Sequence, residues 1–151
     1  HKADIYEGGH RVPFFARWPG KVAAGARCDQ TIALVDLMAT CADLLGARLP
    51  ENAGEDSVSL LPLFKGGENP VRDTLVHHSF NGVFAIREGN WKLLVCPGSG
   101  GWSSPKDAEA KKKKFPAVQL YDMSADEGER KNLQAEHPEI VLRRAPRRRA
   151  R

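Results

Sequence analysis

The sequence predicts an α/β chain: a strand and a helix in its first half, then a small antiparallel sheet closed by a terminal helix. Three observations support this. Apolar residues recur near helical spacing over 31–45. From Leu75 onward, four short runs rich in β-formers follow one another, the first three separated by turn dipeptides. Composition is that of an ordinary globular chain, 151 residues with 41% hydrophobic and 28% charged. A compact domain of that length buries roughly 68 to 70% of its unfolded surface.

The elements follow in order. After the Gly8-Gly9 turn, VPFFARW at 12–18 is rich in β-formers and places Pro13 near its start, where a missing N–H is tolerated, so it reads as a strand. Pro19-Gly20 ends it. Ile32, Val35, Leu37, Met38, Ala42 and Leu45 then outline a helix, with Gly46 at its stop position and Asp29 or Thr31 as its cap. Residues 47–74 hold three prolines and one apolar island, SLLPLF, and read as an ordered connecting loop with at most a helical turn. LVHHSF at 75–80, VFAIRE at 83–88 and WKLLVC at 91–96 form a meander through the Asn81-Gly82 and Gly89-Asn90 turns, and VQLYDM at 118–123 adds a fourth strand. Between the third and fourth lies an excursion at 97–117, flexible in its Gly/Ser half and solvated in its Lys half. Residues 132–144 read as a final helix, with Pro138 near its first turn and Ile140, Val141 and Leu142 as its apolar content.

The net charge of +4 does not describe the body of the chain. Residues 143–151, RRAPRRRAR, hold six arginines and no acid, so the first 142 residues carry 17 basic and 19 acidic groups. The arginine run reads as a solvated, disordered end rather than a nucleic-acid tag, and nucleic acid is not an expected partner. A membrane span is not expected either: TIALV and LMATCADLLG, the longest apolar stretches, fall far short of the roughly 18 to 20 residues required. Cys28, Cys41 and Cys96 are odd in number and lack C-x-x-C spacing, so they fit neither a zinc site nor a disulfide framework and are expected as buried small side chains. One disulfide plus a free thiol stays open for an exported protein. The chain begins at His1 with no leader-like apolar stretch, which reads as a start inside a longer or processed product.

The densest motif is HKADIYEGGHRVPFFARWPGK at 1–21, a lysine before a Glu-Gly-Gly turn, then Arg-Val-Pro and Trp-Pro-Gly. This order resembles the formylglycine-dependent sulfatases of the alkaline-phosphatase-like superfamily, in their arylsulfatase-like branch, where these elements lie in the second half of the protein. LVDLMATCADLLG at 34–46 and the pattern Leu120, Tyr121, Asp122, Asp126, Glu129, Asn132 extend the resemblance to about residue 142. The implied fold is the end of an alkaline-phosphatase-like α/β domain with its connecting loop over 1–74, then a small antiparallel subdomain with a terminal helix over 75–142. The basic tail at 143–151 departs from it. A periplasmic or extracellular location is also implied.

The implied activity is hydrolysis of a sulfate ester, either an aryl sulfate or a sulfated carbohydrate. Lys2 matches the family's sulfate-contacting lysine by its distance to Glu7-Gly8-Gly9. A fixed ammonium beside the sulfate oxygens offsets the charge that builds as the ester bond breaks. His1 adjoins it as a candidate proton donor to the leaving group. Glu7, Gly8, Gly9 and Arg11 are read as scaffold that places Lys2: the glycines permit positive φ and a close backbone approach, and a buried Glu7 or Arg11 binds the turn's exposed backbone groups. His77 and His78 are candidate substrate contacts. As strand neighbours they point to opposite faces and cannot share an ion, so one packed and one exposed is the competing reading.

Trp102, in CPGSGGWSS at 96–104, is a candidate aromatic plate over a ligand, on a loop that in the family lines the active-site mouth. The acids of the 120–132 pattern lack EF-hand spacing and read as a turn-and-cap device. The family's nucleophile comes from a C/S-x-P-x-R string, and here Cys28, Cys41 and Cys96 are followed by DQT, ADL and PGS. The implied calcium ion and formylglycine are therefore expected in a preceding half, no metal ligand is assigned in this chain, and the chain alone is expected to be inactive. The alternative is a non-catalytic fragment that at most binds sulfated ligands.

Overall fold

The computed structural model describes residues 1–144. Its elements are α1 (Glu7–His10), α2 (Asp36–Leu45), α3 (Leu61–Phe64), β1 (Thr74–His78), β2 (Phe84–Glu88), β3 (Trp91–Leu94), α4 (Asp107–Lys112), β4 (Gln119–Asp122) and α5 (Pro138–Arg144). They form two compact units, one of residues 1–12 with the chain from Val76 onward, the other of Pro13–Leu75.

The first unit is built on a four-stranded sheet in the order β1-β2-β3-β4, the meander that the turn spacing predicts. Antiparallel register pairs Ala85 with Leu94, Arg87 with Lys92 and Lys92 with Tyr121. Since side chains alternate across a strand, Ala85, Arg87, Lys92, Leu94, Gln119 and Tyr121 share one face, and Glu88, Trp91, Leu93 and Leu120 the other. Residues 3–7 cover the first face, where Ile5 packs with Ala85, Leu94, Cys96, Tyr121 and Met123. Across the second face runs α5, with His137 5.0 Å from the Trp91 ring and Arg143 paired with Glu88. Leu93, Leu94 and Leu120 have no exposed surface. Each such burial contributes about 1.5–3 kcal/mol.

An edge strand leaves N–H and C=O groups open. Here Asn132 Oδ1 accepts the Leu120 N–H at 3.0 Å and the Leu133 N–H donates to Leu120 O at 2.8 Å, which closes the β4 edge. The acids before them act as the turn-and-cap reading expects: Asp122 accepts the Ser124 N–H and Asp126 the N–H groups of Arg130 and Lys131.

The second unit holds α2, which begins at Asp36 rather than near residue 31. The expected caps, Asp29 and Thr31, are not used. Asp36 itself reaches back to the Ala33 N–H at 2.7 Å and tightens the turn before the helix. Its other oxygen accepts the Val58 N–H at 3.0 Å and pairs with Arg72. Thr40 Oγ1 accepts the Leu60 N–H at 2.9 Å, and Ser57 Oγ accepts that of Ala39 at 2.9 Å. These bonds lace the connecting loop to the helix. Gly46 stops α2 at φ 63°, a left-handed cap open to glycine without a Cβ clash.

Four expectations are corrected. Residues 12–18 form no strand, because a strand needs a ladder partner and none is present among the described residues, leaving Phe15 91% exposed. The Gly/Ser stretch 97–101 is buried rather than flexible, tied down by side-chain hydrogen bonds. Within the Lys-rich half, α4 forms from good helix formers with acids in its first turn and lysines in its last. Cys28 and Cys41 are exposed, and only Cys96 is buried, where burial and the nearby charge of Asp107 push its thiol up to about 12. The arginine tail beyond residue 144 lies outside the described residues.

Candidate functional site

The segment bearing Lys2 is fixed by its neighbours. Ala3, Asp4 and Ile5 are buried while Lys2 is exposed. The Phe80 N–H donates to Ala3 O at 3.0 Å, and the Ile5 N–H donates to Ser99 O at 2.9 Å. Asp4 Oδ1 accepts the N–H groups of Trp102 at 2.8 Å and Ser103 at 3.0 Å, and Asp4 Oδ2 accepts the Ser103 hydroxyl. Burial alone would raise the Asp4 carboxyl, but these bonds outweigh it and hold it below the usual carboxylate range. The facing loop is stiffened in turn. Asp107 Oδ1 accepts the N–H groups of Gly98 and Gly100, and Ser79 Oγ donates to Gly100 O at 2.6 Å. A Cβ at Gly101 would stand 2.4 Å from Ala3 O, so the two backbones touch.

On this base His1 meets Trp102 edge to face at 6.3 Å, and Trp102 meets Phe80 at 5.4 Å. Lys2 has no carboxylate partner among the described residues. Thus His1 and Trp102 come together, and exposed Lys2 follows His1 on the same segment. The two histidines of β1 divide as strand neighbours do. His78 is exposed against Phe84, with Nδ1 2.8 Å from Ser79 O. His77 is half-buried against His10 at 3.9 Å, and neither of its ring nitrogens has a hydrogen-bond partner among the described residues. Burial, then the nearby charges of His10 and Lys92, pull His77 down to about 4, so it is neutral at physiological pH.

The Glu-Gly-Gly scaffold works differently from the expectation. It forms a single helical turn, α1, in which neither glycine takes positive φ. Close approach is real at Gly9, where a Cβ would stand 2.0 Å from Asp4 O. The Glu7 carboxylate does not bind the turn's backbone. It pairs with Lys92 at 2.8 Å and His10 at 3.4 Å, because a buried ammonium is a far stronger partner than a neutral N–H. Although burial raises the Glu7 carboxyl, the His10 hydrogen bond and the Lys92 charge outweigh it and hold it far below its ordinary value. Lys92, with no exposed surface, also pairs with Glu129 at 2.8 Å, and Glu129 Oε2 accepts the Glu7 N–H at 2.6 Å. Arg11 is a surface residue, 3.4 Å from Glu127, since its long side chain runs to solvent.

Sequence reasoning missed Asp4, Lys92 and Phe80. The 2.0-period register of β3 could have flagged Lys92 as inward-facing, whereas Asp4 and Phe80 carry no local signal.

Residues 1–96 match the protein family described as N-sulphoglucosamine sulphohydrolase, C-terminal. The chain belongs to that family. As a sulfatase C-terminal chain, it is 35% identical to an N-acetylgalactosamine-6-O-sulfatase of Bacteroides thetaiotaomicron over 93% of its own length and 27% of that protein. With arylsulfatase A of Homo sapiens it shares 37% identity over 87% of its length and 28% of that protein. A solved structure described under the metabolism of multiple glycosaminoglycans by Bacteroides thetaiotaomicron superimposes with a TM-score of 0.77 at 31% identity, covering 94% of this chain and 29% of that one. Ps i-CgsB in complex with k-i-k-neocarrahexaose superimposes with a TM-score of 0.60 at 26% identity, covering 83% and 25%. This sulfatase chain therefore spans about a quarter of the length of the relatives it matches. Among its described residues no three His, Cys, Asp or Glu side chains converge to hold a metal ion. Cys28, Cys41 and Cys96 do not stand in a C/S-x-P-x-R string.

Proposed function

We propose that this chain is the C-terminal part of an enzyme that hydrolyses sulfate esters, and that Lys2 is its sulfate contact. The observation that carries this is an exposed lysine with no counter-charge, on a segment immobilised by buried Asp4, in a chain of the sulfatase family. An ammonium held in place before the reaction stabilises the charge developing on the sulfate and bridging oxygens without reorganising. His1 is proposed to protonate the leaving alcohol, and exposed His78 rather than enclosed His77 to contact substrate. Calcium and formylglycine, which the family resemblance implies, are assigned to the remaining length of the enzyme, with residues 1–74 ending its large domain in chain order and 75–142 forming the small one, on whose sheet residues 1–12 pack. Export to the periplasm or the extracellular space belongs to the same proposal.

In the whole enzyme, Lys2→Ala lowers kcat for a sulfate ester by about 10²- to 10³-fold, with thermal stability kept because the exposed side chain makes no ion pair among the described residues. Retained kcat refutes the assignment. The 151-residue chain alone turns over no sulfate ester; turnover by it would refute the division of labour.

A further inference from the structure

Asp4 is a buried carboxylate, 3% exposed and two residues from Lys2, that no step of the proposed chemistry uses. Its backbone and its side chain bind different neighbours. The Asp4 N–H donates to His1 O at 3.0 Å and closes a turn with Lys2 inside it. The side chain ties that turn to the loop at 98–103, Oδ1 taking the N–H groups of Trp102 and Ser103 and Oδ2 the Ser103 hydroxyl. The His1 amino group, 3.2 Å from Oδ2, is backbone of the same turn. Glycines let the neighbouring chain close on it: a Cβ on Gly101 would stand 2.6 Å from Asp4 Oδ1, and one on Gly9 would stand 2.8 Å from His1 O. The loop is itself anchored, because Asp107 takes the N–H groups of Gly98 and Gly100. Lys2 makes no ion pair among the described residues, so this backbone turn is what locates it.

We propose that Asp4 is the positioning residue of Lys2: by binding Trp102 and Ser103, its carboxylate sets where the ammonium stands when the ester bond breaks. The inference rests on the reading of Lys2 as the sulfate contact. A charged acceptor holds N–H and O–H donors about twice as strongly as a neutral one. Donors left unfilled in a buried site are costly, so the turn keeps one place rather than several. Electrostatic stabilisation of a transition state depends on the cation already being in place, and a misplacement of about 1 Å costs on the order of 10²-fold in rate. Asp4 therefore acts on kcat through Lys2, without touching substrate.

The test is a double-mutant cycle on kcat for a sulfate ester, run in the whole enzyme. Asp4→Ala lowers kcat about 10- to 10²-fold in the wild-type background. In the Lys2→Ala background it lowers kcat less than about twofold, since the turn then has no ammonium to place. Asp4→Asn keeps an oxygen for the two N–H groups and returns most of the loss. Should Asp4→Ala fail to fold, Asp4→Asn replaces it in the cycle, with an expected loss of about threefold that again vanishes without Lys2. Losses that add in the two backgrounds overturn the proposal, because Asp4 would then serve the fold alone. An unchanged kcat overturns it too, as does a rise in KM alone, which would mean that Asp4 shapes the Trp102 loop rather than Lys2. Retained kcat in Lys2→Ala is a different failure and refutes the reading of Lys2 itself.

Discussion

Lys92 shows what a single buried charge does here. It lies between Glu7 and Glu129 with no exposed surface, so the Lys92→Met variant leaves Glu129 enclosed without its cation and Glu7 with only His10 at 3.4 Å and Arg87 at 3.9 Å. Removing one partner of a buried ion pair costs about 3–5 kcal/mol, and urea unfolding should register a loss of that order. Adding Glu7→Gln and Glu129→Gln to Lys92→Met should recover part of it, because neutral amides tolerate burial better than unpaired anions. A second residue pair separates close approach from mere flexibility. Gly9→Ala drives a Cβ into Asp4 O and should lower the melting temperature by several degrees. Gly8→Ala, whose Cβ has only His1 N within 4.0 Å, should change it little. The Glu-Gly-Gly string announced a scaffold, but not that its two glycines differ, since that difference depends on where residue 4 returns.

At the scale of elements, local signals succeeded wherever local chemistry decides. The hairpin turns, the Gly46 stop, Pro138 as the first residue of α5 and the cap-like acids of 122–132 all depend on a few neighbouring residues. The 107–112 helix was equally local, its Asp-Ala-Glu-Ala-Lys-Lys order hidden only by its place in a solvated stretch. Residues 12–18 and 97–101 went the other way. β-formers without a ladder partner make no strand, and glycines that receive side-chain hydrogen bonds are held rather than loose. The start of α2 likewise depends on a distant loop. Asp36→Ala removes the acceptor for Ala33 and Val58 and strands buried Arg72. It should cost about 3–5 kcal/mol, read as lost helicity and an earlier urea midpoint.

For the whole molecule, acid should be the main destabiliser. Asp4 and Glu7 have folded values depressed below their unfolded ones, near 4, so their stabilisation is present above that pH and is lost as pH falls through the folded values. His77 acts in a higher window. Its folded value of about 4 lies below the 6.5 of an ordinary histidine, so from pH 6.5 down to 4 the unfolded chain binds the extra proton and stability declines. His77→Leu should flatten the urea midpoint between pH 7.5 and 5.0 while leaving the steeper loss below pH 4. Apolar exposure makes a separate prediction. Phe15, Leu34 and Leu45 are 91%, 61% and 82% exposed in a chain that spans about a quarter of its relatives. The 151-residue chain should therefore bind 8-anilinonaphthalene sulfonate, and Phe15→Ser with Leu45→Ser should weaken that binding at almost unchanged stability.

The sequence by itself determined the order of turns, strands and helix stops, and through the 1–21 string it pointed to the sulfatase family, because those features are written in residues a few positions apart. Tertiary structure alone decided which charges are buried and which side chains share a surface. Asp4 meets Trp102 across 98 residues and Glu7 meets Lys92 across 85. Contacts at such separation are chosen by how the backbone closes on itself, and the cost of leaving a polar group unpaired inside that closure selects their partners.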